Sequence, residues 1–193
     1  YTGHIPVTIP TIIGDMVVAG ARQGNTIGIL ALDLNGGFKW FRPVYTNAPV
    51  GAVASAVVGD INKRLFMVCG GMLHAVDGNT GNLFWSYTVG GSVSQPIMVN
   101  GAVYFTGNMP ADPVVRVRAV KDPWPSYGAP AEVWHSRESM GTASCMPIIA
   151  RSRLFAAENP ANGPNGKLYC YTNNSFANFI GTFREPVVAG VPF

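Results

Sequence analysis

Residues 75–85 read Ala75-Val76-Asp77-Gly78-Asn79-Thr80-Gly81-Asn82-Leu83-Phe84-Trp85, and a fainter copy, one residue shorter, runs from Ala31 through Asp33 to Trp40. The two tryptophans stand one repeat length apart. A chain with such a period is built from copies of one supersecondary unit, and this limits its fold more than any other feature does.

Laid out on that period, the sequence gives four units over about 5–46, 47–91, 92–139 and 140–186, with 187–193 opening a further one. Each unit begins with two short apolar runs divided by a turn. In the third unit Pro96-Ile97-Met98-Val99 and Ala102-Val103-Tyr104-Phe105 flank Asn100-Gly101, a pair suited to the positive φ angles of a tight hairpin. A third strand follows at about 29–33, 72–77, 114–120 and 167–172, then a fourth ending in Trp40, Trp85, Trp134 or Phe183. No stretch keeps a helical period. Four short antiparallel strands in each unit of ~45 residues predict an all-β fold, a β-propeller with about four blades present.

The motif has a physical logic of its own. Small Ala31 and Ala75 leave room for a ring from the next strand, and the side chains of Asp77 and Thr80 can bond across the turn. Gly81 supplies a φ that other residues avoid. Trp40, Trp85 and Trp134 recur at the structural period, so they are expected to pack between blades rather than to stack on a ligand.

With these residues in view, the chain resembles the pyrroloquinoline-quinone-type propeller repeat of the quinoprotein alcohol dehydrogenase-like family. The stretch from Gly71 to Trp85, followed by Ser94-Gln95-Pro96-Ile97 and Asn100-Gly101-Ala102-Val103-Tyr104, matches that repeat closely. The first unit lacks the Thr, the third carries an insertion at 121–130, and the fourth keeps only the outline. The resemblance implies a seven- or eight-bladed ring. The four units present then read as a piece of a longer polypeptide, a half-ring paired with another chain, or an open arc, and the first reading is favoured. It also implies a location in the periplasm, the cell envelope or the exterior.

Apolar residues make up 48% of the 193 positions and charged ones 12%, about half the usual ~25%. Such a sparse charge inventory suits a surface largely covered by other blades or other protein chains. The formal charge of +3 is thinly spread, and Arg116, Arg118, Arg151 and Arg153 read as solvated positions. Nucleic-acid binding requires a clustered basic stripe and is not expected. No apolar run approaches the ~18 residues of a membrane span. Cys69, Cys145 and Cys170 lack metal-site spacing and read as buried free thiols, although one pair could form a disulfide. Asn173-Asn174-Ser175 has the form of a glycosylation acceptor.

Ligand chemistry in a propeller gathers on the loops joining second to third strands and one blade to the next. Here these are about 19–28, 42–52, 86–93, 106–113, 137–143 and 157–166. Polar residues that could converge there include Arg22, Gln23, Asn108, Asp112, His135, Arg137, Glu138, Glu158 and Asn159. On the opposite face Trp124 and Tyr127, flanked by prolines, form either a partner anchor or a cover for their own blade. His74 lies inside the motif strand and reads as a structural histidine.

Two functions remain open. One is a non-catalytic scaffold or protein-interaction module, like the outer-membrane assembly lipoproteins that share this repeat, with no cofactor. The other is a piece of a quinone-dependent alcohol or sugar dehydrogenase. In such relatives a calcium ion polarises the pyrroloquinoline quinone, and Glu158-Asn159 is the acidic–amide pair that could serve it. The scaffold is favoured, because degenerate motifs in three units place no demand on a regular central pocket.

Overall fold

The computed structural model describes residues 3–91, 93–125, 128–142, 145–150, 153–158 and 166–172. They form four antiparallel sheets of three to five strands. Two sheets lie in a first compact unit, Tyr1–Thr88, and two in a second, Val89–Phe193.

In the first unit, β1 (Ile5–Pro6), β2 (Thr11–Ile13), β3 (Met16–Gln23), β4 (Thr26–Asp33) and β5 (Phe38–Tyr45) form one sheet. Its inner strand is broken in two, since β1 and β2 both pair with β3, so this blade has five strands rather than the expected four. The second sheet contains β6 (Val58–Gly59), β7 (Arg64–Cys69), β8 (Met72–Asp77) and β9 (Leu83–Thr88) in chain order. Alternate residues of β3 and β7 point into a shared core holding Met16, Val18, Ile29, Ala31, Leu65 and Met67. Strands β3, β4, β7 and β8 are buried along most of their length, as expected for the middle of a blade.

The second unit contains β10 (Ile97–Val99), β11 (Ala102–Met109), β12 (Asp112–Lys121) and β13 (Ala131–His135) in one sheet. Its other sheet comprises β14 (Ile148–Ala150), β15 (Arg153–Ala157) and β16 (Leu168–Thr172). The strand expected to end at Phe183 lies outside the described residues, as do Asn173-Asn174-Ser175, Arg151 and 187–193. Val117, Ala119, Met140, Leu154, Tyr169 and Tyr171 form this unit's core. Asn100 and Gly101 take φ of 47° and 79°, the paired positive values that the Asn-Gly hairpin requires.

Trp40 and Trp134 each reach a neighbouring sheet. Trp40 Nε1–H donates to the Gly78 carbonyl at 3.0 Å. Its ring lies over Gly81, where an added Cβ would come within 2.8 Å of it. Gly81 itself has φ 73°. Arg42 supports the same turn, donating to the Gly81 carbonyl and, at 3.2 Å, to Asn82 Oδ1. Trp134 meets Tyr171 edge-on at 5.5 Å. Trp85 is buried and tilts against Phe66 within its own sheet. Below Trp40, Asp77 Oδ1 accepts the backbone N–H of Asn79 at 2.8 Å and of Thr80 at 3.4 Å. Thr80 Oγ1 accepts the N–H of Asn82 at 3.2 Å. Asp33 repeats the device with Asn35 and Gly37 at 2.8 and 2.6 Å.

Another recurring element escaped the sequence reading. Thr8, Ser55 and Ser94 each offer a hydroxyl to a backbone N–H of the adjoining strand: Gly20 at 2.8 Å, Val68 at 2.8 Å and Thr106 at 2.9 Å. In each case the second strand is held to the chain entering the blade. A signal was available in Thr8-Ile9-Pro10 and Ser94-Gln95-Pro96, a hydroxyl two residues ahead of a proline.

Candidate functional site

Charged side chains in the second unit collect at one end of β12. Asp112, Arg116 and Arg118 are spaced two and four residues apart, so a period of two turns them to the same face of the strand. Arg118 Nη2 donates to Asp112 Oδ2 at 2.7 Å, and Arg116 Nε donates to the same oxygen at 3.0 Å. Arg118 also donates from Nε to the Gly107 carbonyl at 2.9 Å and from Nη1 to both Glu132 oxygens at 3.0 and 3.2 Å. Glu132 Oε1 lies 2.7 Å from His135 Nδ1. The Arg118 guanidinium, hydrogen-bonded to Asp112, holds that carboxyl down at about 2.

Arg118 is 1% exposed, so the expectation of a solvated position is corrected for it. Burial is tolerable because two carboxylates and two carbonyls meet its donors. Arg116 is likewise engaged, donating to the carbonyls of Ser136 at 3.1 Å and of Arg137.

From there a polar seam crosses to the next sheet. Glu138 accepts the Tyr171 hydroxyl at 3.0 Å, and Glu158 accepts that of Tyr169 at 2.9 Å. The two phenol rings are stacked at 6.2 Å. Burial, with Glu158 alongside, pushes the Tyr169 phenol up to about 12, and burial raises Tyr171 as well.

The expected candidates therefore fall into groups. Asp112 and His135 are joined through Arg118 and Glu132, and neither of those linking residues was among the candidates. Glu138 and Glu158 each accept a tyrosine hydroxyl. The Asn108 side chain lies against Gly90, where an added Cβ would come within 2.0 Å of its Oδ1. Arg22 belongs to the first unit, and its guanidinium donates to the carbonyls of Ala48, Pro49 and Ala52 at 3.3, 3.0 and 3.4 Å. The stretches 19–28 and 106–113, expected as loops, are mostly strand, closed by turns at 24–25 and 110–111. Trp124 is partly exposed, while Tyr127 and Asn159 lie outside the described residues.

Glu158 does not suit a calcium ion. Its carboxylate accepts a phenol hydroxyl and has the Lys167 ammonium 3.8 Å away, so donors occupy the surroundings where calcium needs oxygen ligands. Among the described residues no group of three or more His, Cys, Asp and Glu is placed to hold a metal.

His74 is buried, and its Nδ1 lies 2.9 Å from Ser86 Oγ. Its Nε2 has no hydrogen-bond partner, so the structural histidine is only half satisfied. Burial lowers its pKa and favours the neutral ring. All three cysteines are free thiols. Only Cys69 is fully buried, which pushes it up to about 11, whereas Cys145 and Cys170 are half-buried.

No family model matches the chain, and no curated protein is similar to it in sequence. Solved structures do match. A provisionally named 6-phosphogluconolactonase from Bacteroides fragilis aligns over 96% of this chain and 55% of its own, with TM-score 0.62 and 13% identity. The WD40 domain of Toxoplasma gondii coronin aligns over 95% of this chain and 46% of its own, with TM-score 0.63 and 12% identity. A provisionally named exported protein of Bacteroides fragilis covers 96% and 50%, with TM-score 0.51 and 10% identity. The chain thus spans about half the length of the structures it matches. With its four antiparallel sheets, it has the fold of part of a β-propeller.

Proposed function

We propose that this chain is part of a non-catalytic propeller that serves as a scaffold or protein-interaction module in the cell envelope or exterior. The observation that carries this reading is the internal use of the charged groups at the strand ends. Arg22, Arg116, Arg118, Glu132, Glu138 and Glu158 each bond to backbone or side chains of the same unit. Side chains held this way fasten sheets and loops together and have few donors or acceptors left for a substrate. The extracytoplasmic location draws support from the exported neighbour, and no described helix is long and apolar enough to cross a membrane. Partners are other protein chains or further blades of the same polypeptide.

The test is equilibrium dialysis of the purified chain against pyrroloquinoline quinone, with and without calcium. The scaffold reading expects no quinone absorbance to remain with the protein in either case. Stoichiometric retention that depends on calcium would establish the dehydrogenase alternative instead.

A further inference from the structure

Tyr169 and Tyr171 stand two residues apart on β16, so their rings leave the same face of the strand and stack with centroids 6.2 Å apart. Trp134, from the neighbouring sheet, meets Tyr171 edge-on at 5.5 Å. Three oxidisable rings thus stand in file through the second unit's core, with Tyr169 6% and Tyr171 2% exposed. Each phenol also has a carboxylate of its own. Tyr171 donates to Glu138 at 3.0 Å and Tyr169 to Glu158 at 2.9 Å.

A buried phenol needs an acceptor, and a backbone carbonyl would serve. A carboxylate is the costlier choice, because its charge is drawn partly out of water. Neither carboxylate forms a close ion pair among the described residues, the Lys167 ammonium standing 3.8 Å from Glu158. What a carboxylate adds is basicity. A phenol that has lost an electron is a strong acid, so a tyrosine inside a protein is oxidised only where its proton has somewhere to go. Burial, with Glu158 alongside, holds the Tyr169 phenol up at about 12, and burial raises Tyr171 too. Both therefore keep their protons until an electron leaves.

We propose that Trp134, Tyr171 and Tyr169 form a relay for oxidising equivalents, fed by a one-electron radical oxidant of the azide, carbonate or peroxyl class. The oxidant takes one electron from the Trp134 indole and leaves as its anion. An electron then passes from Tyr171 to the indole cation radical, which restores Trp134, while the Tyr171 phenolic proton moves to Glu138. In the next step Tyr169 gives an electron to the Tyr171 radical and its proton to Glu158, and Tyr171 recovers its own proton from Glu138. The hole then rests on Tyr169. The proton rests on Glu158, whose side chain is 19% exposed and exchanges with water. The inference goes beyond the scaffold reading and stands apart from it, since a scaffold needs no electron transfer.

The experiment is pulse radiolysis of the full chain with azide radical as the oxidant, following indole and tyrosyl radicals by their separate visible absorptions. The indole radical should give way to tyrosyl radical in a fast phase that is independent of protein concentration and slower in heavy water. Tyr171→Phe should abolish that phase. Glu138→Gln, which keeps an acceptor for the hydroxyl but not a base, should slow it about tenfold or more. Near-ultraviolet circular dichroism verifies that the core of each variant is intact. Tyr45, on β5 of the first unit, serves as the control, and Tyr45→Phe should leave the phase unchanged. The proposal is overturned if no such phase appears, if Tyr171→Phe retains it, or if Glu138→Gln transfers at the unaltered rate. Equal loss in Tyr45→Phe overturns it too, as oxidation that follows no path.

Discussion

Two side chains in the second unit make its stability depend on pH in opposite directions. Asp112 titrates at about 2 when folded, against 3.8 for the free side chain, chiefly because Arg118 donates to it. A carboxyl lowered in this way contributes stability above its unfolded value and loses it as pH falls toward the folded one. Asp112→Asn should flatten the acid limb of a stability–pH curve between pH 3.8 and about 2, as read from urea midpoints. Asp15 titrates at about 2 as well, so part of that limb should survive. Tyr169 acts at the alkaline side, with its folded value of about 12 above the ordinary 10. Its contribution is complete below pH 10 and disappears as pH rises through about 12. Glu158→Gln removes the charge beside the phenol, so the ultraviolet phenolate titration of Tyr169 should move down toward its ordinary range. A titration that stays in place would leave burial as the whole cause.

Within the blade, the turn of the 75–85 motif and the indole above it form one object. Gly81 has φ 73°, and its open Cα face is filled by Trp40. Gly81→Ala therefore adds both backbone strain and a clash, and should destabilise the protein by about 1–3 kcal/mol in chemical denaturation. A smaller loss would mean that Trp40 moves aside at little cost. These parts were legible in the sequence because they obey local rules: a hairpin needs Asn100-Gly101, a tight turn needs Gly81, and a ring needs small Ala31 or Ala75 beside it. The charged groups were not legible. Whether Arg118 faces water or two carboxylates depends on how far β11 and β12 extend, and the Pro110 and Pro113 residues made that hairpin look like a loop. Glu132 and Tyr171 carried little local sign of their roles, because the Arg118 and Glu138 that they bind lie 14 and 33 residues away in sequence.

At the scale of the whole chain, two indoles each meet a neighbouring sheet of their own unit: Trp40 over Gly81 in the first, Trp134 against Tyr171 in the second. Repeat proteins add nearest-neighbour terms, so such contacts should count independently. Trp40→Phe and Trp134→Phe should each cost about 1–2 kcal/mol. The double variant should equal their sum within about 0.5 kcal/mol. A larger discrepancy would show that the two contacts are energetically linked. The hydroxyls of Thr8, Ser55 and Ser94 bear on the history of such a chain. They pin their blades without involving the Asp, Thr, Gly or Trp of the motif. A blade secured in this way can diverge at its signature positions and still fold, so a lineage of blades can drift past recognition by sequence while its architecture persists.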